Sequence, residues 1–288
     1  MIIATIIRQS HFFHSGAIGI DPMDNELVRG NLLTAINPYD ESALNMALYL
    51  KEHHPGVHII GITPRAEQAQ AFIDQAISLG ADEGVILDME PTDAAGAEQR
   101  AKQWSLGLKT LDFQLLLLGV KEMDRCEDEF GIYLGAHLNL PVISGIKTLT
   151  LTQAGEVQAV RKLEKGHGER VSCRLPAVLT AEATGRYRYP TLKSIAQPKN
   201  TRVIHIPAPT GDTQEKMPAV ALKNLRPPKV RPKKGLVEVD SSLSVTDKLS
   251  QLFSGGVTEK KGTGDILTGA PDQVAKTLVA HMQDKGFI

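Results

Sequence analysis

Several absences narrow what this chain can be. It has only two cysteines, Cys126 and Cys173, too few for a disulfide framework; a reducing, cytoplasmic location is the expectation. The formal net charge is −1, so no overall field draws nucleic acid or a membrane surface. No apolar run approaches the roughly 20 residues of a membrane span. The opening MIIATIIRQ is apolar but short, and no charged leader or small-residue cleavage site accompanies it. It reads as a buried first strand. Neither GxxxxGK[ST] nor GxGxxG is present, which removes the two common nucleotide fingerprints. There is no HExxH and no CxxC pair, so His11 and His14, and the group His53, His54 and His58, read as structural or solvated rather than metal ligands.

What is present is an ordinary globular composition, 42% hydrophobic and 23% charged over 288 residues, enough for one large domain or two. Ile2 to Ile7 form an apolar run. Residues 8–36 read mostly as loop, punctuated by Gly16, Gly19, Pro22 and Gly30. Asn37 is a suitable N-cap, Pro38 suits the first helical position, and Asp40 and Glu41 favour the positive end of the helix dipole. Ala43, Met46, Ala47 and Leu50 then recur at helical spacing. A strand over 57–62, a helix around Ala69 to Ala76 ending at Gly80, a strand over 85–87, a helix over 94–110 and a strand over 113–118 complete an alternation of strand and helix. That alternation predicts an α/β fold with a doubly wound, Rossmann-like parallel sheet. Ligands bind such sheets beyond the carboxyl ends of the strands. Here those ends are the loop after the first strand, the Thr63-Pro64 turn, and the loop starting at Gly119. Residues 142–173 read as short strands with turns at Gly155 and Gly166-His167-Gly168.

The Gly119 loop reads GVKEMDRCEDEFG. A glycine after an apolar strand and before a helix brings backbone amides up to a phosphate. The carboxylates Glu127, Asp128 and Glu129 oppose this, each by roughly 1 kcal/mol at surface dielectric, with Lys121 and Arg125 as offsetting cations.

The stretch Leu175 to Ile195, LPAVLTAEATGRYRYPTLKSI, starts as a strand and breaks at Thr184-Gly185. Arg186, Tyr187, Arg188 and Tyr189 follow, with Leu192 and Ile195 beyond Pro190. Arg and Tyr beside a lone apolar anchor match the composition of a protein-binding surface; an ordinary loop with its aromatics tucked back onto the core is the alternative that composition leaves open.

This stretch resembles the partner-recognition loop (here about 182–196) of electron transfer flavoprotein beta subunits. Asn37-Pro38-Tyr39-Asp40 with the following ESALNMALYLKE, the segment AISLGADEGVIL, and the spacing from Gly119 to Gly131 resemble further motifs of that family, in order, over roughly residues 1–210. The resemblance implies an alpha–beta heterodimer that carries electrons from flavin dehydrogenases to a quinone reductase or similar acceptor, with no turnover of its own. It implies FAD held mainly by the alpha subunit, and AMP or a second FAD in this chain. The positions matching the family's nucleotide contacts are Ile6, Asn37, Pro38, Tyr39, Asp40, Thr63, Pro64, Gly119, Asp124, Asp128, Glu129, Phe130 and Gly131. Phe13 and Tyr39 would face the flavin. Arg188, Tyr189 and Leu192 would dock the dehydrogenase, with Leu192 as anchor. The loop departs from the family's pattern at Glu129, where Gln is usual, and at bulky Phe130.

From residue 207 prolines and basic residues accumulate, as in Arg226-Pro227-Pro228-Lys229-Val230-Arg231-Pro232. This reads as an extended arm; the resemblance implies that 211–288 contact the alpha subunit. Short helices are expected over 245–253 and 271–284. Two other functions remain open: a nucleotide-free docking scaffold of the same family, and a nucleotide-hydrolysing or adenylylating α/β enzyme. The last would need an SGGxDS-type loop after the first strand, which IRQSHFFHSG does not provide.

Overall fold

The computed structural model describes residues 1–13, 32–89, 96–125, 127–152, 155–185, 188–196, 201–207, 244–246, 267–285 and 287. The chain divides into two compact units, Met1–Pro227 and Pro228–Ile288.

The first unit is built on a nine-stranded sheet. Its parallel part comprises β1 (Ile2–Ile6), β4 (His58–Pro64), β5 (Glu83–Leu87), β6 (Leu115–Gly119), β10 (Ala177–Ala181) and β11 (Val203–Ile206). The order across the sheet is β11-β5-β4-β1-β6-β10-β7-β8-β9. Strand β7 (Val142–Leu151) runs parallel to β10, and β8 (Glu156–Lys162) and β9 (Gly168–Arg174) extend it as antiparallel hairpins. The turn glycines Gly155 and Gly166 adopt φ of 72° and 83°, a region open to glycine at little cost. The doubly wound α/β class expected from the alternation is the one observed.

Strand side chains alternate between two apolar layers, as the period of two requires. Ile3, Ile59, Leu115, Leu117 and Leu179 pack on one face with Ala43, Leu44, Ala47 and Leu50 of α1 (Pro38–His53) and with Phe72 and Ala76 of α2 (Ala69–Leu79). Ala4, Ile6, Ile62, Leu116, Leu118 and Val178 pack on the other with Ala101, Trp104 and Leu108 of α3 (Ala97–Leu108) and Phe130 and Leu134 of α4 (Phe130–Leu138). Central strands buried on both faces read as continuous apolar runs, which is why LLLLG was legible as a strand.

Three expectations change. At the described ends of the stretch 8–36, β2 (Gln9–Phe13) and β3 (Leu32–Ile36) pair antiparallel as a separate two-stranded sheet where loop was expected, and the expected glycine and proline punctuation of 14–31 lies outside the described residues. The polar Gln9-Ser10-His11 start concealed β2, because its partner rather than its own pattern defines it. Asn37 stands at the N-cap position but makes no side-chain cap to α1; its Oδ1 faces Ser10 Oγ and its Nδ2 donates to Lys121 O. The strand β7 is ten residues long, not short. Outside the described residues lie most of the helix expected over 245–253 and the part of the expected arm 211–288 that runs to residue 243. In the second unit, α6 (Pro271–Asp284) has the bounds its periodicity indicated. None of the described helices is long and apolar enough to cross a membrane.

Close approach of α4 to β7 depends on Gly135, where an added Cβ would lie 2.1 Å from Val142 Cγ2. Gly135→Ala is expected to destabilise the fold by about 1–3 kcal/mol through overpacking, partly offset by up to about 1 kcal/mol of helix propensity. Urea denaturation measures the loss, and adding Val142→Ala should recover part of it. A more stable single variant would show that α4 is free to withdraw.

Candidate functional site

In the sheet order, β4 and β5 lie to one side of β1, and β6 and β10 to the other. The carboxyl ends of β1 and β6 therefore flank a topological switch point, where open α/β sheets place their ligands. Two charged residues follow those ends. Arg8 comes after β1 and Glu122 after β6, and both are almost fully buried, with 4% and 5% of their surface exposed.

They anchor a buried ion network. Asp40, in the first turn of α1, accepts from the backbone N–H of Arg8 at 2.9 Å and from its guanidinium Nε at 2.8 Å and Nη2 at 2.7 Å. Its other role is to accept from Gly119 N at 2.5 Å. The same guanidinium donates to Gly119 O at 2.9 Å and to Glu122 at 3.1 Å. Arg100, from α3, donates to both oxygens of Glu122, at 3.0 and 3.2 Å, and pairs with Glu127. Arg125 Nε lies 3.2 Å from the second Glu122 oxygen. Phe130 fills the space between: the Arg8 and Arg100 guanidinium carbons stand 5.2 and 5.6 Å from its ring centre, and Trp104 meets its edge at 5.6 Å.

The electrostatics of Arg8 and Glu122 are set by burial and by their partners. Burial opposes the charge on Arg8, but Asp40 and Glu122 outweigh it and raise its pKa. Burial likewise pushes the Glu122 carboxyl up, yet Arg8, Arg100 and Arg125 hold it below its ordinary range.

The expected nucleotide contacts distribute unevenly around this network. Asp40, Gly119 and Phe130 belong to it. Asn37 is buried beside it and donates to Lys121 O at 2.8 Å, tying α1 to the loop. Tyr39 lies under Lys121, with Nζ 5.3 Å from the ring centre. Asp124 is drawn toward β2 by a 3.0 Å bond from His11 N. Asp128 and Glu129 are exposed, Glu129 as the residue capping α4. Ile6 is packed within the core, Thr63 donates to Ile7 O at 2.8 Å, and Pro64 ends β4 opposite Leu87. Gly131 is required by packing, since a Cβ there would lie 2.3 Å from Thr180 Cγ2. Phe13 pairs with Leu32 through its backbone, and its side chain lies outside the described residues.

Whether these residues fit a nucleotide phosphate turns on the loop amides. Gly119 N is taken by Asp40, Val120 N by Ala181 O at 2.8 Å and Glu122 N by Glu127 O at 3.3 Å. A Cβ at Gly119 would meet Tyr39 Cβ at 2.4 Å and Asp40 N at 2.7 Å, so this glycine admits the start of α1. The amides of Gly119, Val120 and Glu122 are thus turned to the chain's own oxygens and do not fit a phosphate. Arg8, Arg100 and Glu122 escaped the sequence reading. Arg8 alone carried a signal, a lone charge directly after an apolar strand in IIATIIR; Arg100 sits within a helix and Glu122 within the loop after β6.

The residues expected to dock a dehydrogenase lie elsewhere. Thr184 N donates to Ser42 Oγ at 3.1 Å near the start of α1. Arg188 makes a two-pronged pair with Glu52 near its end, one contact at 2.9 Å. This pairing lowers the Glu52 pKa and raises that of Arg188. The segment thus follows α1 for ten residues, about 15 Å at helical rise. Beyond it, α5 (Leu192–Ile195) is opened by a capping box between Thr191 and Ser194. Tyr189 and Leu192 project outward, 88% and 90% exposed. Arg186 and Tyr187 lie outside the described residues. Among the described residues no group of His, Cys, Asp or Glu forms a metal site.

A doubly wound α/β domain with charged residues at its switch point and an anchored segment that exposes Tyr189 and Leu192 defines a Rossmann-like scaffold. Comparison with known proteins gives the family. The electron transfer flavoprotein domain model matches residues 26–208, and the chain belongs to that family. It is 29% identical to the electron transfer flavoprotein subunit beta of Bacillus subtilis over 258 residues, 88% of this chain and 87% of that protein. Against the same subunit of Clostridium acetobutylicum it is 30% identical over 168 residues, 57% of this chain and 62% of that protein. The caffeyl-CoA reductase-Etf complex subunit CarD of Acetobacterium woodii is 23% identical over 273 residues, 94% of each chain. These relatives support an electron-transfer role.

Breaking the network should be costly. Removing one partner of a buried ion pair strands the other charge, at about 3–5 kcal/mol, so Glu122→Gln should lose that order of stability at pH 7. Glu122 has a lowered pKa in the fold, so its contribution is present above the ordinary carboxylate range and is lost as pH falls through its folded value. Denaturant melts from neutral to acidic pH should show the gap between variant and parent closing on acidification. A gap independent of pH would mean that Glu122 is not ionised in the fold.

Proposed function

We propose that the chain is the beta-type subunit of a heterodimeric electron transfer flavoprotein. An alpha subunit holds the FAD, and the pair carries electrons from flavin dehydrogenases to a quinone reductase or similar acceptor. In this reading the chain has no turnover of its own. It positions the alpha subunit's flavin, with Tyr39 and Phe13 on the facing side, and offers the donor a docking point.

The observation that carries this reading is the 175–195 stretch. Leu192 and Tyr189 are held almost wholly in solvent on a segment fixed at Ser42, at Glu52 and by its own cap. An apolar side chain presented from a pre-ordered segment loses little entropy on docking. Its anchor points span α1, so the docking end stands apart from the network at the switch point. Residues 1–210 would form the core of the subunit and 211–288 an arm laid on the alpha subunit.

Leu192→Ala should raise the apparent KM for a reduced donor dehydrogenase several-fold, leaving flavin content and heterodimer formation intact; stopped-flow transfer with a saturable donor measures this. Unchanged kinetics would remove Leu192 from the docking role. Deleting 226–288 should lower the share of alpha subunit that co-purifies. Full stoichiometry in the truncated complex would show that the arm is not needed for pairing.

A further inference from the structure

Three guanidinium groups converge on one carboxylate at the switch point. Arg8, Arg100 and Arg125 contact the two oxygens of Glu122 at 3.0 to 3.2 Å. Several planar guanidinium groups around one oxyanion form the recognition pattern for a phosphate, where bidentate and forked contacts multiply. Two further facts mark this as an oxyanion seat. The first is its position beyond the ends of β1 and β6, where such sheets hold nucleotides. The second is Arg100 Nε, a buried donor with no partner, on a side chain only 10% exposed. Glu122 and Glu127 together leave that donor unsatisfied, whereas a phosphate carries more acceptor oxygens than a carboxylate.

We propose that Glu122 is an internal substitute for a nucleotide phosphate. It occupies the arginine seat, so this subunit folds and pairs without an adenine nucleotide of its own. Its removal opens a site for a free oxyanion of the phosphate class. The contacts agree. Arg8, Arg100 and Arg125 all contact Glu122, and its loss removes the carboxylate that the three cations share. The loop amides concur, since Gly119, Val120 and Glu122 spend theirs on the chain's own oxygens. The inference stands apart from the docking role of Leu192 and is tested by different quantities.

The deciding measurement is the nucleotide content of the full-length chain co-purified with its alpha subunit. After denaturation, chromatography of the released cofactors should find one FAD per heterodimer and no AMP, ADP or second FAD. One additional adenine nucleotide per heterodimer overturns the proposal. The second measurement compares Glu122→Ala with the parent in thermal melts over a series of inorganic phosphate concentrations, with chloride at matched ionic strength. Phosphate should raise the Tm of the variant and leave that of the parent unmoved, because a ligand that binds only the native state stabilises it. An equal phosphate response in both proteins, or none in a variant that still melts cooperatively, overturns it. If the variant does not fold, the nucleotide content of the parent decides alone.

Discussion

Burial of Arg8 is the constraint around which the rest of this unit is arranged. A guanidinium taken out of water cannot give up its proton, so every donor must find an acceptor. Arg8 finds them in Asp40, Glu122 and the carbonyl of Gly119. Each lies on a different element, which couples the end of β1, the first turn of α1 and the loop after β6. Arg100 extends the coupling to α3, and Phe130 joins α4 through its ring. A pair of this kind contributes less net stability than its Coulomb energy implies, because desolvation offsets much of it. What it does supply is register. Only one placement of α1 against β6 satisfies Asp40, and Gly119 is the residue that permits it.

The consequence for function is that the conventional ligand position of the fold is filled from within. Doubly wound sheets leave a crevice at the switch point because the helices on either side diverge there. In this chain the crevice receives charged side chains from the end of β1, from α1 and α3 and from the β6 loop, paired with one another. Membership of the electron transfer flavoprotein domain family therefore coexists with a local chemistry suited to an internal carboxylate. The same helix, α1, separates two tasks. Its start is locked into the network, and near its end Glu52 holds Arg188, steadying the segment that carries Leu192.

Much of the architecture was legible in the residues. The run LLLLG, the apolar start IIATII and the helical spacing of Ala43, Met46, Ala47 and Leu50 state their structure through periodicity alone, since burial on two faces or one stripe imposes those patterns. The bounds of α6 and the turns at Gly155 and Gly166 were equally readable. The strand β2 was not, because Gln9-Ser10-His11 becomes a strand only by pairing with Ala35 and Thr34. Asn37 suited a cap by type, but its Oδ1 faces Ser10 Oγ and its Nδ2 donates to Lys121 O across the crevice. At the site, the motif residues Asp40, Gly119 and Phe130 were located, while the groups they serve, Arg8, Arg100 and Glu122, were not.

The division follows from the range of the interactions. By itself the sequence determined what is local: the alternation of strand and helix, the two apolar layers, the turns, and an apolar anchor left without a local partner at Leu192. Those outcomes depend on neighbours a few residues apart. The tertiary structure alone decided that Arg8 meets Glu122, 114 residues along the chain, and that Arg188 meets Glu52, 136 residues away. A charge in a sequence specifies its own sign and reach. Which opposite charge it meets is set by strand order, and strand order is fixed only when the whole sheet assembles.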